Sequence, residues 1–193
     1  MENITVEKLK SIFVTKGYGW GSFNIIGIRT LDQTPDVFND FICLVIADKL
    51  VGCWSCTTDP GVYWLKNPSR INGTAILPEG QYIDSWILGV HKTYPALTQF
   101  KPLKVWRDNN KDAKVDYTGN LYADVQGLNI HKGHDTWLSK NAKYLLGIIK
   151  VDKYSAACQV FAFSDNFATF IDYCKKSGLK LFTYTLLNEK DFS

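Results

Sequence analysis

The sequence predicts a mainly β fold, a β-sandwich or a barrel-like arrangement, with a helix at the N-terminus and another near the C-terminus. From Gly21 to about Val115 the chain consists of short β-branched and aromatic runs, and Gly, Pro, Asn and Asp separate these runs. The chain has 193 residues and 46% apolar composition, enough to bury one sizeable core but short for two full domains. We therefore expect residues 1–193 to form a single domain.

The first helix is predicted over residues 4–16, because apolar residues recur there at close to helical spacing and Gly17 can end it. The predicted strands are Phe23–Ile28, Phe41–Ile46, Gly61–Leu65, Tyr82–Val90 and Leu103–Arg107. Helical spacing returns over Asp165–Lys176, which ends before Gly178, and a last strand is predicted over Leu181–Leu187. No internal repeat or low-complexity linker interrupts this order.

Charge and hydropathy limit the classes of partner. The formal charge is +3, with no dense Lys/Arg stripe between aromatics, so nucleic acid is not the expected partner, whereas an anionic wall-like polymer would suit the mildly basic surface. The N-terminus lacks the features of a secretory signal. The longest apolar run, Phe41–Ala47, is far below the roughly 20 residues that span a bilayer. We expect a soluble protein without membrane insertion.

The five cysteines form an odd set whose spacing does not resemble a small disulfide framework, which favours synthesis in a reducing compartment. Cys53 and Cys56 form a Cys-x-x-Cys pair, but a zinc site would need a second ligand pair at suitable spacing. Alternation along Val51, Cys53 and Ser55 favours ordinary strand positions. No metal or cofactor is expected.

Two short segments, residues 127–133 and 155–161, carry the residues best suited to chemistry. A thiol is a useful nucleophile only as thiolate, so Cys158 needs a nearby base, which His131 could supply from a neighbouring strand. The small residue Ala157 would let a substrate carbonyl approach the backbone, where the amides of Ala157 and Cys158 could stabilise an oxyanion. A free Cys is among the most buried residue types and often acts as a small hydrophobe, so the pair alone does not establish catalysis.

Taken in order, these two segments resemble the catalytic signature of the L,D-transpeptidase family, in which a His in a His-Gly-like segment precedes a Ser-x-Gly-Cys element. The wider text, including residues 73–82 and 89–92, looks like a bacteriophage branch of that family, and the likeness covers about residues 60–187. The resemblance implies a mainly β catalytic domain whose Cys attacks a peptidoglycan stem peptide to form an acyl-enzyme. Capture by an amine then gives a crosslink, and capture by water gives cleavage.

Carried across by residue, the resemblance implies that Cys158 is the nucleophile, His131 the base and Ser155 the Ser of the motif, where it could brace the turn or bond to the imidazole. Ala157 replaces the usual Gly, which adds a methyl group and disfavours a positive φ. Val160 replaces the usual Arg or Asn, a loss for which Gln159 could compensate by hydrogen bonding.

The remaining site predictions concern the surroundings of this pair. The spacer between His131 and Cys158 is longer than usual in the family, and its section 137–144 could form a flap. Asp152, Asp124 or a backbone carbonyl could orient His131, and the sequence leaves this choice open. The predicted substrate contacts are Asn129, Gln159, His91, Trp86 and Tyr94; for His91 a solvated strand end is an equal alternative.

The segment Asp108–Asp116 places oxygen-bearing side chains at alternating positions, as calcium loops do. It lacks the Gly at the sixth place and the Glu at the twelfth, so a solvated hairpin turn is the favoured interpretation.

The residues predict a monomeric cysteine-dependent enzyme, and the resemblance implies a peptidoglycan hydrolase and suggests a phage lysis enzyme, an endolysin. It would accumulate in the host bacterial cytoplasm until lysis and then act in the periplasm on the cell wall. One alternative is an L,D-transpeptidase that forms or exchanges crosslinks. A second is a non-catalytic virion or wall-binding module, to which Ala157 and Val160 lend weight.

Overall fold

The computed structural model describes residues 4–124, 127–134 and 146–193. Its helices are α1 (Val6–Lys16), α2 (Val62–Lys66) and α3 (Ser164–Lys176), and a 3₁₀ helix at Glu189–Phe192 follows the last strand. The strands are β1 (Phe23–Arg29), β2 (Asp40–Ile46), β3 (Lys49–Thr57), β4 (Thr74–Ile76), β5 (Gly80–His91), β6 (Tyr94–Gln99), β7 (Leu103–Asp108), β8 (Tyr122–Asp124), β9 (Ile130–His134), β10 (Gln159–Phe163) and β11 (Leu181–Asn188).

Helix α1 lies within the predicted range 4–16; it ends at Lys16 as predicted and begins two residues later, at Val6. The Thr5 hydroxyl accepts a hydrogen bond from the Lys8 N–H at 3.2 Å, which caps the first turn. Gly17 follows the last residue with a φ of 69°, a conformation that glycine adopts without steric cost. The buried face of α1 packs against outward residues of β1 and β2. The helix therefore covers one side of the strands that follow it in sequence.

Eight strands close into a barrel in the order β1-β11-β5-β6-β9-β10-β3-β2. The pairs β1·β11 and β9·β10 are parallel, and the other neighbours are antiparallel. The core contains inward residues from these strands together with the apolar face of α3, which contributes Phe167, Phe170, Ile171 and Cys174. The prediction of a mainly β fold is confirmed, and the barrel is its specific form.

A separate three-stranded sheet has the order β4-β7-β8. It lies within the long excursion of the chain between β3 and β9, apart from the β5–β6 hairpin of the barrel. Strands β7 and β8 pair antiparallel and are joined by residues 109–121. The predicted hairpin at Asp108–Asp116 is thus present, although Asp108 itself is 1% exposed and not solvated.

The predicted strand Gly61–Leu65 is wrong, because the structure has helix α2 there. In this short segment Gly61 and Leu65 are buried and Tyr63 between them is exposed, which fits a single helical turn and not an alternating strand. Gly61 starts the turn, and its N–H donates to the Ser155 carbonyl at 2.8 Å. A short apolar run does not by itself distinguish the two structures.

One disulfide joins Cys43 and Cys53, a pairing that the cysteine spacing does not predict. The two residues lie directly opposite each other in the β2–β3 register. Cys56, Cys158 and Cys174 are free, and Cys56 and Cys174 are buried. Strand pairing, not distance along the sequence, brings the bonded cysteines together.

Candidate active site

Strands β9 and β10 bring Cys158 and His131 to one face of the barrel. These strands are parallel neighbours, with Val160 opposite His131 and Gln159 opposite Ile130. Side chains alternate along a strand, so Cys158 shares the face of Val160, two residues on. Ile130 belongs to the core of the barrel, whereas Val160 packs in a separate cluster that Cys158 contacts. The predicted nucleophile and base therefore lie on the outer face of adjacent strands.

The turn before Cys158 is braced by Ser155. The buried Ser155 hydroxyl donates to the Cys158 carbonyl at 2.8 Å and accepts from the Ala157 N–H at 3.3 Å. Of the two roles predicted for Ser155, the structure has the brace and not the bond to the imidazole. Ala157 has a φ of 129°, in the region that favours glycine. The chain thus adopts here the positive φ that its sequence disfavours, and such strain is common at functional sites.

A backbone carbonyl orients His131. Its Nδ1 lies 2.6 Å from the Lys132 carbonyl oxygen, which can only accept, so Nδ1 carries the proton in the neutral ring. Nε2 is then the basic nitrogen, and it is buried. Asp152 does not fill this role, since its contact is a backbone N–H that donates to Asp36. The side chain of Asp124 lies outside the described residues.

Burial keeps the imidazole neutral. His131 is 2% exposed, and this desolvation lowers its pKa to about 4, although backbone hydrogen bonds to Lys132 and Tyr154 oppose the shift. The nearby His91 and Lys92 lower the pKa further. At neutral pH His131 is therefore an uncharged hydrogen-bond acceptor at Nε2.

The Cys158 thiol is also neutral in this structure. Its Sγ accepts from the Asn129 N–H at 3.4 Å and lies 3.5 Å from the Gly127 carbonyl, to which it donates. Although the residue is partly exposed, desolvation raises the pKa of the thiol to about 11. The Asn129 N–H and the charge of Lys92 lower it in part. Within the described part of the chain no hydrogen bond joins Cys158 to His131, so the thiol is not activated at rest.

Three of the five predicted substrate contacts lie around this pair. The rings of His91 and His131 stack with centroids 4.3 Å apart and an interplanar angle of 10°. The Asn129 side-chain amide lies 2.9 Å from His91 Nδ1 and donates to it. The Tyr94 hydroxyl lies 3.5 Å from His131 Nδ1. His91 and Tyr94 thus contact the imidazole of His131, and Asn129 contacts His91.

Trp86 and Gln159 are not available to a substrate. Both are fully buried. Trp86 Nε1 donates to the Leu128 carbonyl at 2.7 Å. The Gln159 amide accepts from the Tyr184 hydroxyl at 2.7 Å and donates to the Ala157 carbonyl at 3.3 Å, so it supports the turn from the inside of the barrel. Their prediction as substrate contacts is corrected, because strand register turns both side chains into the core.

Lys92 is a site residue that the sequence reading passes over. It lies in the tight turn between β5 and β6, directly after His91, and its charge lowers the pKa of Cys158 and of His131. A cation at this position favours the thiolate form of the nucleophile. Its position next to His91, a predicted substrate contact, could have indicated Lys92 from the sequence.

One of the two predicted oxyanion donors is in use. The Ala157 N–H is bonded to Ser155, whereas no described residue accepts from the Cys158 N–H. The Cys158 amide is therefore the donor free to bind a developing negative charge.

The predicted flap at 137–144 lies outside the described residues.

Two cavities lie away from the candidate site. Neither the cavity of about 280 Å³ beside α1 nor that of about 480 Å³ lined by Phe23 and Tyr173 contains Cys158 or His131. No group of three or more Asp, Glu, His or Cys side chains in residues 4–124, 127–134 and 146–193 is placed to hold a metal ion. In the same ranges, no helix has the length and apolar character to cross a membrane.

Comparisons with known proteins found no matching family model, no matching curated protein and no matching solved structure.

Proposed function

We propose that this chain is a cysteine-dependent peptidoglycan hydrolase that cleaves stem-peptide or crosslink bonds through an acyl-enzyme. The observation that carries the proposal is the turn at Ala157: a non-glycine residue holds a φ of 129° directly before a partly exposed Cys158. Such strain persists only where the surroundings impose it, and here the Ser155 hydroxyl and the Gln159 amide both bond to the turn. The choice of peptidoglycan rests on the sequence resemblance.

The proposed reaction uses the groups on this face of the barrel. Cys158 Sγ attacks a substrate carbonyl carbon while His131 Nε2 accepts the thiol proton. The Cys158 N–H stabilises the oxyanion, and His131 returns the proton to the departing amine as the C–N bond breaks. Water then attacks the thioester with His131 as base, which releases the carboxylic acid and restores the thiol.

The pKa values of Cys158 and His131 imply that proton transfer between them begins only when substrate is bound. A thiol with a pKa of about 11 does not transfer its proton to an imidazole with a pKa of about 4 in the resting enzyme. Catalytic hydrogen bonds are often long in free enzymes and shorten in the substrate complex. The charge of Lys92 acts in the required direction for the thiol.

The second candidate is a non-catalytic wall-binding module. It is favoured by the neutral state of both side chains and by the raised pKa of the Cys158 thiol, which no hydrogen bond joins to His131 in the described part of the chain. A module of this kind would keep the barrel and use the outer face for binding alone. It predicts that wall binding survives the loss of Cys158.

The test compares wild type with Cys158→Ala on purified Gram-negative sacculi. Soluble fragments and the intact protein are then analysed by mass spectrometry. Cys174→Ala is the matched control, because it removes another free thiol on α3 and leaves the turn untouched. Hydrolysis predicts released fragments with wild type and the control, none with Cys158→Ala, and any acyl adduct on Cys158 alone.

Two other outcomes would contradict hydrolysis. New crosslinks that depend on an added amine acceptor would indicate a transpeptidase. Sacculi left unchanged by wild type, but bound equally by wild type and Cys158→Ala, would indicate the binding module. The control must be folded, which circular dichroism establishes before the assay.

A further inference from the structure

The loop after β7 has oxygen-bearing side chains at regular places. Counted from Asp108, the first, third, fifth and ninth residues are Asp108, Asn110, Asp112 and Asp116, and Lys114 is the seventh. Calcium loops use side chains at the first, third and fifth places, a main-chain carbonyl at the seventh, and often a water-linked ligand at the ninth. The spacing matches at all five of these places.

The backbone has the curl that this spacing needs. The sixth place, glycine in calcium loops, is Ala113 with a φ of 70°, and Lys111 at the fourth has a φ of 62°. The Asn110 side chain accepts from the Asp112 N–H at 3.1 Å, and the Asp112 side chain accepts from the Lys114 N–H at 2.9 Å. The missing glycine, which counts against calcium in the sequence, therefore does not prevent the turn.

Asp108 supplies an independent indication of a ligand. It is 1% exposed, and its Oδ2 accepts from the Asp116 N–H at 3.1 Å, which turns the carboxylate toward the loop. Its Oδ1 is buried and has no hydrogen-bond partner in the described part of the chain. A buried carboxylate oxygen without a donor is costly, and a cation would remove that cost.

Asp116 lies next to Asp108 in the loop, and its Oδ2 accepts a hydrogen bond from the Asn110 side-chain amide at 2.9 Å. Three carboxylates of like sign repel one another, and a divalent cation relieves that repulsion. Asp112 and Asp116 are exposed and can move, whereas Asp108 is held at the end of β7.

We infer that residues 108–116 bind one calcium ion, with Asp108 as the buried anchor. The ligands would be oxygens from Asp108, Asn110, Asp112, the Lys114 carbonyl and Asp116. The donor set favours calcium, since it contains only oxygen and the loop is open and irregular, whereas magnesium demands near-octahedral geometry.

The three carboxylates do not yet meet at one point, so ion binding draws Asp112 and Asp116 inward. The twelfth place is Gly119 and supplies no bidentate carboxylate. We therefore expect a dissociation constant on the order of 10⁻⁴ M, as in weaker calcium modules. This site is independent of the proposed peptidoglycan chemistry.

Isothermal titration calorimetry of the metal-stripped full chain with calcium chloride tests the inference, with magnesium chloride in parallel. The expected result is one calcium per chain, weaker or no magnesium binding, and a thermal midpoint raised by about 3–6 °C at roughly ten times the dissociation constant. Asp112→Ala and Asp116→Ala should each weaken calcium binding about tenfold or more. Asp172→Ala is the matched control, since it removes an exposed carboxylate on α3.

Absence of calcium binding by folded wild type at millimolar calcium would overturn the inference. So would an equal loss of affinity in Asp172→Ala, or unchanged affinity in both loop variants, because each result would locate binding outside residues 108–116.

Discussion

Single contacts determine the protonation state of His131. The Lys132 carbonyl holds the proton on Nδ1, and burial removes the water that would stabilise a charged ring. The His91 ring, at the end of β5, stacks on the imidazole and lowers its pKa further. The imidazole is thus ready to accept a proton at Nε2 but not to hold a positive charge unaided.

The lowered pKa of His131 predicts a pH-dependent stability. The folded-state pKa is about 4 and the unfolded value about 6.5, so the unfolded chain takes up the proton first as pH falls. The free energy of unfolding of wild type should fall relative to His131→Gln by up to about 3 kcal/mol between pH 6.5 and 4. Urea denaturation across this range measures the difference.

Comparison with His131→Gln is needed because Asp40 acts in the opposite direction. Burial raises the pKa of Asp40 to about 6, so its stabilising protonated form is lost as pH rises toward and through 6. The variant retains Asp40, and the subtraction removes its contribution. A difference that stays constant with pH would show that His131 is not perturbed, and NMR titration of the ring would report its pKa directly.

At the scale of elements, the β9–turn–β10 unit creates the candidate site. Parallel pairing sets Val160 opposite His131, and the turn residues 155–158 place Cys158 directly before β10. The Gln159 N–H donates to the Asn129 carbonyl at 3.0 Å, which ties the end of the turn to the start of β9. The position of the thiol therefore depends on backbone bonds on both sides of it.

Replacement of Ala157 by glycine tests the strain in this turn. Relief of the positive φ should offset the added flexibility and the lost methyl contacts. Ala157→Gly should therefore leave the free energy of unfolding unchanged or raise it by up to roughly 1 kcal/mol. Ala162→Gly, the matched control in β10, is fully buried with no positive φ and should lose at least about 1 kcal/mol. Chemical denaturation measures both, and equal losses would contradict the strain.

At the scale of the whole molecule, a buried polar cluster joins the barrel to the small sheet. Arg29 in β1 is 2% exposed and donates to the Thr58 hydroxyl and to the Leu77 carbonyl, each at 3.0 Å. Its Nε lies 3.1 Å from Asp59 Oδ1, and Tyr117 from the β7–β8 loop donates to Asp59 Oδ2 at 2.6 Å. A buried charge needs such partners, so the loop is tied to the barrel through Asp59.

Tyr117→Phe tests this connection. The substitution removes the donor to a partly buried carboxylate beside Arg29, and we expect a loss of about 1–2 kcal/mol in the free energy of unfolding. Tyr122→Phe is the matched control, because Tyr122 is 41% exposed and should change stability by less than about 0.5 kcal/mol. Urea denaturation compares the two, and an equal small effect would show that the hydroxyl does not hold the loop.

The sequence by itself determined the helices and strands that have clear local signals. Apolar spacing and Gly17 predict α1, the spacing of Phe167, Phe170 and Cys174 predicts α3, and alternation predicts several barrel strands. Cys158 and His131 were chosen on chemical type, and the structure brings their strands together. These features could be predicted because they depend on neighbours a few residues away or on side-chain chemistry.

Only the tertiary structure decided the rest. Closure of the barrel, the burial of Trp86 and Gln159, and the Lys132 carbonyl as the partner of His131 all follow from strand register, which residues far apart in sequence set together. Leu65 became part of a helix because its burial, not its β-like neighbours, selected the backbone. The physical reason is that burial and pairing are properties of the assembled barrel, whereas sequence patterns report only what each segment can adopt.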